Sequence, residues 1–175
     1  RGHRAMKRAL VTGGSGDIGR AICQRLARDG LHVVVHACQH PERAMEVMDT
    51  IRTRGGSAET AIFDVADVDQ TRHILAELLE AGPIQVLVNN AGIHDDAPMA
   101  GMASAQWRRV IDVCLHGFFN VTQPLLLPMM ATRWGRIVNI SSLAGVTGNR
   151  GQANYAAAKA GLHGATKALA LELAS

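Results

Sequence analysis

Short apolar runs alternate along the chain with longer segments in which apolar residues recur every three or four positions. "RALVT" (8–12) is a compact apolar run that ends in glycines. In "DIGRAICQRLARDG", Ile18, Ile22 and Leu26 recur every four residues, Arg20, Arg25 and Arg28 fall on other faces, and Gly30 closes the segment. That pairing predicts a strand followed by a helix. "HVVVHA" (32–37) predicts a second strand, its β-branched run suited to burial on both faces. "PERAMEVMDTIRTRGG" predicts a helix opened by Pro41 and stopped by a glycine pair.

The alternation continues with a strand at "ETAIFDV" (59–65), a helix at "DVDQTRHILAELLEAG" and a strand at "IQVLVNNAG" (84–92). A long helical segment is predicted from Ser104 to Thr132, with Pro124 and Pro128 expected to kink or interrupt it. "GRIVNI" (135–140) predicts a fifth strand, and residues 153–174 a last helix. Each crossover is long enough for a parallel connection, so the expectation is a doubly wound, Rossmann-like α/β sheet in one domain over 1–175. Arg1–Ala5 are read as a cloning remnant ahead of Met6.

Composition narrows the class. Hydrophobic residues make up 47% and charged residues 19%, as in soluble globular proteins. There is no uninterrupted apolar run of about eighteen residues, so no membrane span is expected. The N-terminus carries no apolar signal core, and a cytoplasmic protein is expected. Cys23, Cys38 and Cys114 lack metal-ligand spacing and read as free thiols, with no metal site. A net charge of +3 and few aromatics argue against a nucleic-acid partner.

Between the first strand and helix lies "VTGGSGDIGRAI", where Gly14, Gly16 and Gly19 satisfy G-x-G-x-x-G. Glycines let backbone N–H groups approach a phosphate, and the helix N-terminus adds partial positive charge. A flexible turn would also use glycines, but the strand-to-helix context favours a dinucleotide loop. The second strand ends in "HACQHPER", with no acid before Glu42. A ribose-binding carboxylate is thus missing there, and His36, His40 and Arg43 make the end neutral to basic. NADP(H) is expected over NAD(H), although each of these three side chains alone reads as solvated surface.

Candidate chemistry centres on "GQANYAAAKAG" (151–161), which holds the only tyrosine. Tyr155 and Lys159 stand at i and i+4 and share a helix face. A phenol titrates near pKa ~10, and an adjacent ammonium brings it closer to acid–base use at neutral pH. A bare pair of this kind is also a surface tyrosine stacked on a lysine stem. The context is "NISSLAG", which puts Ser142 at the carboxyl end of the fifth strand, where ligands bind in open parallel sheets. Ser141 beside it reads as a turn-forming hydroxyl.

Thr12-Gly13 with "GSGDIG", Asn89-Asn90-Ala91-Gly92, Ser142, Tyr155 and Lys159 together resemble the short-chain dehydrogenase/reductase family from about Arg8 onward. "NNAGI", "GRIVNISS" and "GQANYAAAKAG" are most similar to the 3-oxoacyl-[acyl-carrier-protein] reductases. The resemblance implies that Tyr155 protonates a substrate carbonyl, that Lys159 lowers its pKa and holds the nicotinamide ribose, and that Ser142 orients the carbonyl. It implies that Gly13, Ser15, Gly16, Ile18 and Gly19 line the pyrophosphate, with Gly14 in the same loop. Asp64 and Val65 would flank the adenine, and Asn90, Ala91 and Gly92 would pass behind the adenosine ribose. It further implies a role in fatty acid biosynthesis, a homodimer or homotetramer, and Arg133 as a contact for an acidic carrier protein.

Four departures accompany the likeness. Asp17 stands where the family's loop usually has glycine and is expected to cap the helix. Gly16 lacks the basic side chain that many NADP-dependent relatives carry. Cys114 replaces an asparagine that anchors a relay water, and a thiol is a poor hydrogen-bonding substitute. Finally, "ALALELAS" ends where relatives continue with further strands, implying an uncovered sheet edge. Rival readings are an alcohol or sugar dehydrogenase and a catalytically weak nucleotide-binding or oligomerisation module.

Overall fold

A computed structural model describes residues 6–174; Arg1–Ala5 lie outside the described residues. Five parallel strands form one sheet: β1 (Arg8–Val11), β2 (His32–Ala37), β3 (Ser57–Ile62), β4 (Val86–Asn89) and β5 (Arg136–Asn139). Their order is β3-β2-β1-β4-β5, so the chain steps outward from β1 twice and then returns to build on the other side. That reversal between β1 and β4 opens the crevice in which such sheets bind ligands.

Helices α1 (Asp17–Arg28), α2 (Pro41–Thr53) and α3 (Val68–Glu80) are the crossovers of the first half. The period of two in each strand divides the core between the sheet's faces. Ala9, Val11, Val33, Val35 and Val88 pack with Cys23, Ala44, Val47 and Ile51. Leu10, Val34, Phe63 and Leu87 pack with Leu75, Val121, Leu125 and Met129. Each such large side chain, fully withdrawn from water, contributes about 1.5–3 kcal/mol. At the sheet's opposite end, Arg8 Nη2 donates to Glu59 Oε1 (3.0 Å), which also meets His32 Nε2 (2.9 Å), tying β1, β2 and β3 in one polar rail.

The third strand ends earlier than its apolar pattern implies. It stops at Ile62 because its neighbour β2 stops at Ala37; Phe63 N makes one last bond to the Ala37 carbonyl. Phe63 and Val65 remain buried as loop residues.

The segment Ser104–Ala131 is one continuous helical run: α4 (Ser104–Ile111), a π-helical turn (Asp112–His116) and α5 (Gly117–Ala131). Pro124 and Pro128 lie inside α5 and do not interrupt it. Proline deprives only the carbonyl four residues back, and packing of Val121, Leu125 and Met129 on the sheet holds the run together. The irregularity sits instead at Cys114. An 18-residue stretch of this run is apolar enough to cross a bilayer (mean hydropathy 1.3), yet the run packs on the sheet through Val121, Leu125 and Met129.

Last come a single turn, α6 (Ala144–Thr147), and the helix α7 (Ala153–Glu172). The outer side of β5 has no strand beside it among the described residues. A groove of about 840 Å³ runs there between the ends of α5 and α7, floored by Ile137 and bordered by Met130, Trp134 and Leu169.

Candidate active site

The glycine loop turns sharply at Gly13, whose φ of +62° is a left-handed conformation that glycine adopts without strain. Gly19 permits the closest approach: a Cβ there would stand 2.1 Å from the Gly13 carbonyl. Gly14 is buried beneath the loop against Cys23, whereas Ser15 and Gly16 face outward. Ile18 is exposed at 63%, off the packed helix face on which Ile22 and Leu26 lie. Asp17 does not cap α1. Gly16 is the N-cap, without a side-chain bond, and Asp17 is an exposed acid in the first turn. There it complements the helix dipole and borders the same depression as Ser15 and Gly16.

The β4 end is stitched to this loop. Asn90 Nδ2 donates to the Thr12 and Gly13 carbonyls (both 3.1 Å), and the Asn90 and Ala91 amides donate to Thr12 Oγ1 (both 3.0 Å). Beyond β3, the Asp64 carboxylate accepts from Ala66 N (2.9 Å), and the buried Val65 gives its carbonyl to Asn120 Nδ2 (2.9 Å). Asp67, not Asp64, caps α3 by accepting from Gln70 N. Thus Gly13, Ser15, Gly16, Ile18, Gly19, Asp64, Asn90, Ala91 and Gly92 come together along the carboxyl ends of β1, β3 and β4.

His36 departs from expectation. It is 2% exposed, not a solvated side chain at the mouth of the ribose site. Its Nδ1 accepts from Gly13 N (2.9 Å) and its Nε2–H donates to the Phe63 carbonyl (2.8 Å). Burial draws its pKa from 6.5 down to about 4, outweighing the Phe63 bond and the Asp64 charge. The ring is therefore neutral at neutral pH and carries its proton on Nε2. His40 and Arg43 are exposed, as expected.

Across the crevice, Lys159 is 3% exposed, and its Nζ donates to the Ile140 carbonyl at 2.8 Å. The ammonium lies 5.7 Å from the Tyr155 ring centroid. Burial lowers the Lys159 pKa, an effect opposed by Cys114. Gly92 leaves it room: a Cβ there would come within 3.3 Å of Nζ. Ser142 is held in the same neighbourhood from both sides. Ser141 Oγ donates to the Lys159 carbonyl (3.0 Å), and Gly145 packs so closely on α7 that a Cβ would meet Ala160 N at 2.9 Å. Ser142 Oγ accepts from Ala144 N (3.2 Å), leaving its own hydrogen to donate. Ser141 is thus a tie to α7, also bonded to His163 Nε2 (2.7 Å), and not a local turn hydroxyl.

Cys114 sits in the π-helical turn with its thiol on both polar groups of Ile93. Sγ–H donates to the Ile93 carbonyl (3.3 Å) and Sγ accepts from Ile93 N (3.5 Å). The thiol therefore bridges this loop despite its weak bonding capacity, and burial raises its pKa. Asn154, adjacent to Tyr155, is fully buried and binds the Asp95 carbonyl (3.1 Å), the Gln106 carbonyl (3.2 Å) and Tyr155 N (2.8 Å). It joins α7, α4 and the loop after β4. Asn154 lies inside the quoted segment 151–161 and His36 inside the second strand's end, but the structural role of each shows only as a polar residue in an otherwise apolar or alanine-rich run.

A glycine loop open toward the carboxyl edge, with unpaired N–H groups in the first turn of α1, fits a dinucleotide phosphate. Gly92 in turn fits a ribose brought near Lys159. The short chain dehydrogenase family model matches residues 7–175. An acetoacetyl-CoA reductase of Allochromatium vinosum is 46% identical over 171 residues, covering 95% of this chain and 69% of that protein. A 3-oxoacyl-[acyl-carrier-protein] reductase of Staphylococcus aureus is 43% identical over 170 residues, covering 97% and 69%. Nodulation protein G of Azospirillum brasilense is 45% identical over 172 residues, covering 98% and 70%. The chain belongs to the short-chain dehydrogenase/reductase family, oxidoreductases that carry out NAD(P)-dependent carbonyl reduction.

Proposed function

We propose that this protein uses NADP(H) to reduce a 3-oxoacyl thioester to the 3-hydroxyacyl thioester, with Tyr155 as general acid. The observation that carries the reading is the buried Lys159 ammonium, seated on Ile140 and facing both the Tyr155 ring and Gly92. When bound, the nicotinamide supplies the hydride. Ser142, with its hydroxyl hydrogen free, donates to the substrate carbonyl oxygen and orients it. Tyr155 gives its phenolic proton to that oxygen, and Lys159 stabilises the negative charge left behind. Gly13, Ser15, Gly16, Ile18 and Gly19 hold the pyrophosphate, Asp64 and Val65 the adenine, and Asn90, Ala91 and Gly92 the ribose side. Gly14 supports that loop from beneath.

The NADP(H) preference rests on Arg20 and Arg43. They border an open depression of about 530 Å³ with Ser15 and Gly16, whose rim also carries Asp17, Glu42 and Glu46, and neither arginine is in a salt bridge with a carboxylate among the described residues. Arg is suited to a 2′-phosphate. The thioester class rests on the substrates in the names of similar proteins.

Arg133, exposed beyond α5 at φ +52°, is the proposed contact for an acidic acyl carrier. Exposed Phe119 and Leu127 on α5 suit packing between subunits in a homodimer or homotetramer. A cytoplasmic, single-domain enzyme of fatty acid biosynthesis completes the reading. Its test is oxidation of NADPH, and of NADH in parallel, with acetoacetyl-CoA. Turnover preferring NADPH supports the reading. Turnover of a simple alcohol or sugar in place of the thioester overturns the substrate class.

A further inference from the structure

We infer that His36 is a positioning residue for the dinucleotide, one buried imidazole that fixes the glycine loop and the end of β3 together. The inference rests on the dinucleotide reading above. Residue 36 engages the first two amides of the loop: Gly13 N through the ring Nδ1 (2.9 Å) and Gly14 N through its own carbonyl (2.8 Å). Those two peptides are thereby turned toward β2, and the phosphate-facing donors are left to Ser15 and the first turn of α1. On its other side the ring donates to the Phe63 carbonyl, one residue before Asp64, and leans on the Phe63 ring at 4.3 Å between centroids. The loop proposed for the pyrophosphate and the strand end proposed for the adenine are thus set by one side chain.

The two bonds need opposite properties, an acceptor on one nitrogen and a donor on the other, which only the neutral Nε2–H tautomer supplies. A buried ring with both nitrogens engaged has no freedom to flip. No other side chain in the described loop reaches the Gly13 amide. The ring touches neither Tyr155 nor Lys159, so its effect is on binding and not on proton transfer.

Conservative variants separate the two bonds. In His36→Asn the amide oxygen takes the place of Nδ1 and keeps the bond to Gly13. In His36→Gln the amide nitrogen takes the place of Nε2, keeping Phe63 but leaving Gly13 N unpaired. Fluorescence titration with NADPH is expected to show Kd raised by about tenfold in His36→Gln, the cost of one buried unpaired amide, and raised less in His36→Asn. With acetoacetyl-CoA, KM for NADPH rises in step while kcat at saturating NADPH stays within about twofold. Folded His36→Gln with wild-type NADPH affinity would overturn the inference and leave the dinucleotide reading intact. Wild-type protein that binds neither NADPH nor NADH would overturn both. If neither variant folds, ¹⁵N spectra of the wild-type imidazole decide: a protonated Nε2 and bare Nδ1 support the inference, and a protonated Nδ1 contradicts it.

Discussion

The Lys159 ammonium stands 5.7 Å from the centre of the Tyr155 ring, fixed by a 2.8 Å bond to the Ile140 carbonyl. The two residues are one helical turn apart on α7, yet it is the end of β5 that sets the lysine's direction. A helix alone would leave a lysine stem free to reach solvent. The position of charge beside the phenol is therefore a tertiary property, and it makes Lys159 separable from Tyr155 by mutation.

Lys159→Met keeps the apolar stem and removes the charge. It is expected to lower kcat by at least about a hundredfold, the scale of a lost acid–base partner. NADPH affinity should fall as well, because the same ammonium faces Gly92. Steady-state kinetics with a direct NADPH titration check both effects. Unchanged turnover would exclude an electrostatic role for the lysine.

Acid should weaken the fold through His36. The ring binds a proton at about pH 4 when folded and near 6.5 when unfolded, so the unfolded chain holds more protons between those values. Stability then falls as pH drops from about 6.5 to 4, with the full loss reached below 4. One group shifted this far contributes about 3 kcal/mol across that window. Asp64 is the charged neighbour that opposes the shift. Urea unfolding of wild type and His36→Asn at several pH values should show the excess acid sensitivity in wild type alone.

Of the three cysteines, Cys38 is exposed while Cys23 and Cys114 are buried. Burial pushes the Cys23 thiol up to about 12 and raises that of Cys114. Partial burial and the Asp64 charge raise the Cys38 thiol too, so exposure alone sets it apart. A disulfide reagent at pH 8 should titrate one thiol ahead of the other two in the native chain and all three after denaturation. Rapid modification of Cys114 would contradict its place inside the π-helical turn.

Asn154→Ala removes all three bonds that tie Tyr155 to α4 and to the loop after β4. A loss of about 1–3 kcal/mol of stability is expected from the stranded buried partners. KM for the carbonyl substrate should also rise, because that loop forms one wall of the site. Asn154→Asp, which keeps the acceptor for Tyr155 N but sets a carboxylate against two carbonyls, should not rescue it.

Much of this was legible in the chain. Apolar runs marked all five strands, and the glycine loop announced itself because its residues are contiguous. Tyr155 and Lys159 share a helix face by spacing, and it is Ser142 upstream and the family resemblance that mark the pair as chemistry. What escaped depends on neighbours distant along the chain. The end of β3 is set by where β2 stops, and the prolines of α5 are tolerated because the sheet holds that helix. Asp17 lost the cap to Gly16 because of loop geometry. His36 reads as surface until Gly13 and Phe63 are folded around it, and Cys114 reads as a poor substitute until Ile93 offers both a donor and an acceptor.

The most direct test compares NADPH oxidation with acetoacetyl-CoA for wild type and Tyr155→Phe, alongside NADPH binding to each. Removing one hydroxyl should reduce kcat by about a hundredfold or more while leaving NADPH affinity within about twofold. Turnover that survives the substitution unchanged would contradict the assignment of Tyr155 as the proton donor, and with it the proposed reaction at this site.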